Sequence, residues 1–298
     1  MCGIGAFQIV GGECDPGKVA RVLLRLLESR GKDAAGVAWH CDGDTYITKN
    51  NVSGKVLAKQ LQRNIGTTGI VHTRWATQGS PKVEHNNHPI DAHGVVGVHN
   101  GHISNDNELF KMVTGYKRQG EVDSEAVFAL IAHGPKEMTL KQRLAEVRGG
   151  AALLWLRTAD SKQRLHAARL TSSPLWFGQT AKGSVIFAST EHILKETAKR
   201  CELEFAYIHE MEVGSYVRVE AGVVGEMQKV KVQHAYYAPR HNYALPSTYS
   251  TATTRQSLPK PQSKTDEQTL MDLLEAEEYE WTLRDSLDRQ FGFGRWNY

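Results

Sequence analysis

Apolar and polar positions divide the chain into three zones. From residue 2 to about 230, short apolar runs alternate with polar stretches punctuated by glycine. Residues 3–10 (GIGAFQIV) form a continuous apolar run suited to a buried strand. The period then changes. Val19, Val22, Leu23, Leu26 and Leu27 recur at three and four residues, predicting a helix over 18–30 with Pro16 at a first-turn position. Residues 36–40 and 44–49 flank a Cys-Asp-Gly turn and predict a hairpin. A helix is expected over 55–63, a strand over 68–73, and a strand over 95–98 that ends at His99-Asn100-Gly101. Helices follow over 105–114 and 123–132. Beyond Gly150 come β-rich runs at 151–157, 164–170, 175–179, 184–189, 204–208 and 215–220, interrupted by one helix near 191–199. Strands at both ends with helices between them predict an α+β layered domain rather than a regular βαβ alternation.

The second zone, 231–265, has no sustained apolar period. Its 239–264 portion holds four of the nine prolines and many Ser and Thr, which predicts a flexible linker. The third zone, 266–298, reads as an acidic amphipathic helix and tail. On a helical wheel Leu270, Leu273, Leu274, Trp281, Leu287 and Phe291 fall within an arc of roughly 140°. Such a helix can dock a partner. It can equally fold back over an edge of its own domain.

Composition narrows the class. At 298 residues, 40% hydrophobic and 23% charged, the chain has a globular profile. No stretch approaches about 20 consecutive apolar residues, so no membrane-spanning helix is expected. The N-terminus lacks the basic start of a secretory signal. Four cysteines (2, 14, 41, 201) with no C-x-x-C pair fit neither a disulfide framework nor a zinc ribbon, and a cytoplasmic location is expected. The net charge of +3 hides an asymmetry: 266–291 carries nine acidic and two basic residues, leaving +10 spread over the rest. That positive charge is diffuse, without a Lys/Arg run, so nucleic-acid binding is not expected.

Cys2 follows the initiator Met, and a small residue there allows the Met to be removed. The exposed cysteine would then carry a thiol and an α-amine together. An α-amine titrates near ~7.7–8.0, so it can take the thiol proton near neutral pH. By position alone, Cys2 is equally readable as a buried cysteine in a first strand. Arg74 could be a surface ion-pair partner, Asn100-Gly101 a tight hairpin turn, and Asp123 a helix N-cap.

Their joint occurrence changes the picture. Cys2-Gly3-Ile4 is followed by RGKDAAG (30–36), HTRWAT (72–77), VHNG (98–101) and VDSE (122–125). In this order and spacing the motifs resemble the class II glutamine amidotransferases, the N-terminal-nucleophile (Ntn) glutaminases. The likeness is strongest to the glutaminase domain of glucosamine-6-phosphate synthases and covers about 2–220. The resemblance implies a four-layer αββα sandwich over 2–230, and hydrolysis of L-glutamine to glutamate and ammonia through a Cys2 thioester. It also implies roles. Cys2 would be the nucleophile, with Asn100 and Gly101 as the oxyanion hole. Arg74 would hold the substrate carboxylate and Asp123 its ammonium. Thr77 and Trp75 would line the pocket, and Arg30, His72, His88 and His99 would order the site. No cofactor and no metal are implied, although six histidines fall between 72 and 102.

Lys32, Ala34, Gln78 and Ile90 depart from the glucosamine synthase pattern. These departures bear on a fructose-phosphate acceptor more than on glutamine hydrolysis. Only about 70 residues follow the glutaminase-like part, too few for a sugar-phosphate or nucleotide-binding half. The expectation is therefore an ammonia-accepting synthase in trans, with 266–291 as a candidate docking element. Two other readings stand beside it: an Ntn amidase with another amide substrate, and a catalytically silent Ntn-fold regulatory module.

Overall fold

A computed structural model describes residues 2–62 and 64–232. The linker expected over 231–265, from residue 233 on, and the acidic helix and tail expected over 266–298 lie outside the described residues. Two antiparallel sheets carry the fold. The first contains β1 (Gly3–Gln8), β2 (Ala34–Cys41), β3 (Asp44–Asn50), β4 (Thr68–Arg74), β9 (Trp176–Thr180), β10 (Val185–Ala188) and β11 (Phe205–Glu210), in the order β11-β9-β10-β1-β4-β2-β3. The second contains β5 (Ile90–Asp91), β6 (Val95–Ile103), β7 (Gly149–Arg157), β8 (Leu165–Arg169), β12 (Ser215–Glu220) and β13 (Val223–Val224), in the order β13-β12-β8-β7-β6-β5, with β14 (Gln228–Lys229) paired to β12.

Strand alternation sends side chains into three buried layers. Ile4 and Ala6 of β1, Ala38 of β2, Ile70 of β4, Val96 and Val98 of β6, and Ala152 and Leu154 of β7 pack between the sheets. Their odd-numbered neighbours face helices. Phe7, Val37, Trp39 and Val71 pack under α1 (Pro16–Leu27), α2 (Gly54–Gln60) and α6 (Glu191–Arg200). Val95, Leu153 and Trp155 pack under α3 (Asp106–Lys111), α4 (Ser124–His133) and α5 (Leu140–Ala145). Helix, sheet, sheet, helix is the four-layer αββα arrangement expected from the motifs. Because both faces of each sheet are covered, the inner strands read as apolar runs rather than as alternation.

The ends of the elements have local causes. Asp15 caps α1, its carboxylate accepting from the Gly17 N–H at 2.9 Å and the Lys18 N–H at 3.1 Å, with Pro16 in the first turn. The helix therefore starts two residues before the expected position 18. It tightens to a 3₁₀ turn over Glu28–Arg30. Glu28 then accepts the Lys55 N–H at the start of α2 at 2.6 Å. α2 lies close on α1, since a Cβ at Gly54 would sit 2.1 Å from the Leu24 carbonyl oxygen.

One expectation is corrected here. The strand expected over 95–98 runs on to Ile103, with His99, Asn100 and Gly101 paired to Leu153, Ala152 and Ala151. Asn100-Gly101 is strand, not a hairpin turn. Cross-strand pairing to small residues of β7 holds the polar segment extended.

Candidate functional site

The same parity that builds the core assembles the site. Ile4 pairs with His72 and Gly3 with Thr73, so Cys2, one residue before β1, lies beside the Arg74 end of β4. Cys2 shares the parity of Ile4 and Ala6, and Arg74 that of Ile70, and both therefore lie on the inward face of their sheet. Asn100 shares the parity of Val96 and Val98 and looks inward from the facing sheet. Strands β1 and β6 contact each other across the interior.

Close backbone approach at the nucleophile end requires glycine. A Cβ on Gly3 would fall 2.6 Å from Thr73 Oγ1 and 2.9 Å from the Leu27 carbonyl oxygen. A Cβ on Gly31 would fall 2.3 Å from the Arg74 carbonyl carbon. That approach lets the 30–36 segment clamp the end of β4. The Asp33 N–H donates to the Arg74 carbonyl at 3.0 Å, and its carboxylate accepts the Ala76 N–H at 2.7 Å. Arg30 reaches over the same junction, with Nε donating to the Cys2 carbonyl at 3.0 Å. The second terminal nitrogen of Arg30 is buried without a hydrogen-bond partner among the described residues.

The Cys2 thiol donates to the Trp75 carbonyl at 3.7 Å. Burial pushes the thiol up from its ordinary value, against the lowering effect of that contact and of the nearby Arg74 guanidinium. Asp123 also lies within electrostatic reach of the thiol. Thiol, guanidinium and carboxylate therefore lie within electrostatic reach of one another.

Arg74 is 3% exposed. It donates to Asn87 Oδ1 at 2.7 Å, to the Gln78 carbonyl at 2.5 Å and to the Gly79 carbonyl at 2.7 Å. Three of the five N–H groups of the guanidinium are thus accounted for by these acceptors, which bind the 78–87 segment to the end of β4. Asp123 caps α4 through the Ser124 N–H at 2.9 Å and accepts the Ile103 N–H through its other oxygen at 2.5 Å. Exposed His102 stands 3.4 Å from that second oxygen. Asp123 is a helix cap, as its position alone allows, and it also fixes the end of β6 just beyond Gly101.

Asn100 is fully buried, and neither amide atom has a hydrogen-bond partner among the described residues. An unmade hydrogen bond of this kind costs about 1–3 kcal/mol. A ligand that supplies the missing partners recovers that cost. Gly101 has φ of 148°, and a Cβ there would fall 1.9 Å from the Gly150 carbonyl oxygen, so no side chain fits.

The three expected site-ordering histidines behave differently. His99 bonds through Nδ1 to Ser124 Oγ at 2.7 Å and through Nε2 to the Gly150 carbonyl at 3.0 Å, tying β6 to α4 and β7. His72 and His88 stack with ring centroids 4.2 Å apart, and their nitrogens have no hydrogen-bond partner among the described residues. The stacked pair orders the region by packing. Burial lowers His72 to about 3 and depresses His88 and His99 as well, so all three rings are neutral near pH 7. Thr77 is exposed, and Trp75, at 57% exposure, presents its ring to solvent while its backbone meets the thiol. No group of three His, Cys, Asp or Glu among the described residues is arranged to hold a metal. Among them, no helix is long and apolar enough to cross a membrane.

Asn87 is not singled out by the sequence, and Ser124 and Glu125 enter only as part of the VDSE motif, without a role. Glu125 is buried and accepts from the Gln119 N–H at 2.6 Å, the Gly120 N–H at 2.7 Å and the Tyr116 hydroxyl at 2.9 Å, which fixes the loop leading into Asp123. Ser124 and Glu125 sit directly after Asp123, and an acidic residue inside an otherwise apolar helix was the available signal.

Residues 72–196 match the family described as the glutamine amidotransferase domain. Among curated proteins, the glutamine–fructose-6-phosphate aminotransferase of Legionella pneumophila (strain Lens) is 39% identical over 166 residues, covering 51% of this chain and 26% of that protein. Its counterpart from Pectobacterium atrosepticum is 33% identical over 236 residues, covering 75% of this chain and 37% of that protein. The chain belongs to the class II glutamine amidotransferases. It spans only 26% and 37% of the length of these two relatives. Among solved structures, the glutamine phosphoribosylpyrophosphate amidotransferase of B. subtilis superposes with a TM-score of 0.64 at 19% identity, over 78% of this chain and 50% of that one. A second, described as the allosteric regulatory enzyme of purine biosynthesis, gives 0.65 at 18% identity over the same shares. At that identity the structural likeness speaks for the fold of the amidotransferase domain alone.

Proposed function

We propose that the chain hydrolyses L-glutamine to glutamate and ammonia, with Cys2 as nucleophile once Met1 is removed. The observation that carries this reading is Asn100, a buried amide without partners on the inward face opposite the nucleophile strand. Because burial raises the Cys2 thiol, the resting group is protonated and needs a base. The freed α-amine serves, since it is partly neutral near pH 7. It takes the thiol proton as sulfur attacks the side-chain amide carbon. The developing oxyanion is received by the Asn100 amide N–H and the Gly101 backbone N–H. The ammonium then returns the proton to the leaving nitrogen, ammonia departs and a thioester remains. Water, deprotonated by the same amine, attacks the thioester and releases glutamate.

Recognition follows from charge. Glutamine presents a carboxylate and an ammonium at one end, and Arg74 and Asp123 offer the complementary pair near the thiol. The N–H groups of Arg74 not used on Asn87, Gln78 and Gly79 remain for the carboxylate. Trp75 and Thr77 flank the entrance. Free ammonia is mostly ammonium at neutral pH and thus not nucleophilic, so we further propose that it passes to an acceptor on a separate synthase.

The test is release of glutamate from glutamine by the purified chain and by Cys2→Ala. The chain should turn over and the variant should not. Equal activity in both, or none in either across candidate acceptors, contradicts the proposal.

A further inference from the structure

Two cysteines outside the amidotransferase site lie together. Cys14 directly precedes Asp15, the cap of α1, and Cys201 caps the C-terminal end of α6. Cys201 is buried in the core cluster beneath these helices, and partly exposed Cys14 packs against that cluster. The same two helix ends are tied by an ion pair, Lys18 Nζ to Glu202 Oε1 at 2.8 Å. The Cys14 thiol donates to the Asp15 carbonyl at 3.6 Å, and the Cys201 thiol comes within hydrogen-bonding reach of the Cys14 sulfur. We propose that Cys14 and Cys201 form an oxidation site, which hydrogen peroxide converts to a disulfide joining the start of α1 to the end of α6.

The surroundings assign the roles. The hydrogen bond from Cys201 lowers Cys14, and with the Lys18 ammonium it outweighs the opposing effects of burial and of the Asp15 and Glu202 carboxylates. Cys201 shares that hydrogen bond and is buried, and both hold it protonated. Cys14 therefore attacks. Its thiolate sulfur bonds to one peroxide oxygen and the O–O bond breaks. The leaving hydroxide takes a proton and departs as water, leaving Cys14 as a sulfenic acid. The Cys201 sulfur then attacks the Cys14 sulfur, and the displaced hydroxide leaves with the Cys201 proton as a second water. Overall, two thiols and one peroxide give one disulfide and two waters. Burial raises the Cys2 thiol, and Cys41 is raised as well, so neither competes as an attacking thiolate.

The experiment is limited peroxide oxidation of the full chain in a Cys2→Ala background, read by intact mass and by peptide mapping without reduction. The expected result is loss of two hydrogens, a Cys14–Cys201 linked peptide, and reversal by dithiothreitol. Cys14→Ser should abolish the mass loss. Cys201→Ser should abolish it as well, leaving oxygen addition at Cys14. Because Cys201 is buried and its variant could unfold, the partly exposed Cys14→Ser carries the test by itself, with a circular dichroism check. Oxidation appearing first at Cys41, or oxygen addition at Cys14 of the parent chain without a link, would overturn the proposal.

Discussion

Asn100 presents the same side chain to two opposite demands. Folding buries its amide with no partner, which is unfavourable. A tetrahedral oxyanion held there makes the missing bond in the transition state. Asn100→Ala should therefore lower kcat by about 10²–10³ with KM little changed. Its melting temperature should stay level or rise, because an unsatisfied buried group is removed. A fall in both activity and melting temperature would mark Asn100 as structural. Arg74 separates differently. Arg74→Lys keeps the charge but loses the planar fork that holds Asn87 and the Gln78 and Gly79 carbonyls. KM for glutamine should rise more than kcat falls, as steady-state kinetics would show. An unchanged KM would leave Arg74 an organiser of the 78–87 segment and nothing more.

At the element scale, the site depends on how closely backbones approach. Gly31→Ala places a Cβ against the Arg74 carbonyl and should lift the 30–36 segment off the end of β4. The expected outcome is loss of glutamine turnover together with a lower melting temperature. Full activity in that variant would show the segment to be adaptable. The buried imidazoles set a pH dependence. His72 has a folded value of about 3 against an ordinary 6.5, so between those values the unfolded chain binds the proton that the fold excludes. Stability is complete above about pH 6.5 and is lost as pH falls toward about 3, at up to about 1.4 kcal/mol per pH unit for each such histidine. Thermal melts from pH 8 to 5 should show a falling midpoint, and a flat profile would contradict neutral burial. Most strands and long helices were legible because their apolar periods are complete. The end of β6 was not, since its last residues are polar and are held by pairing to β7 rather than by their own hydrophobicity. α5 is only 6 residues long, and β5, β13 and β14 only 2 each, too short to show a period. The roles of Asn87 and Ser124 are not legible because their partners, Arg74 and His99, lie 13 and 25 residues away.

Among the described residues three cores, two between a sheet and its helices and one between the sheets, form one compact unit. A chain ending at Ala238 should melt cooperatively and still release glutamate from glutamine. Loss of the glutaminase step on truncation would show that residues 239–298 take part in it. The measurement that bears most directly on the central claim is the intact mass of the purified protein before and after 6-diazo-5-oxo-L-norleucine, a glutamine-shaped electrophile. The account predicts loss of Met1 and one adduct, mapped to Cys2 and prevented by excess glutamine. A protein that keeps Met1, or that loses it yet takes no adduct at Cys2, would contradict a glutamine-hydrolysing N-terminal cysteine.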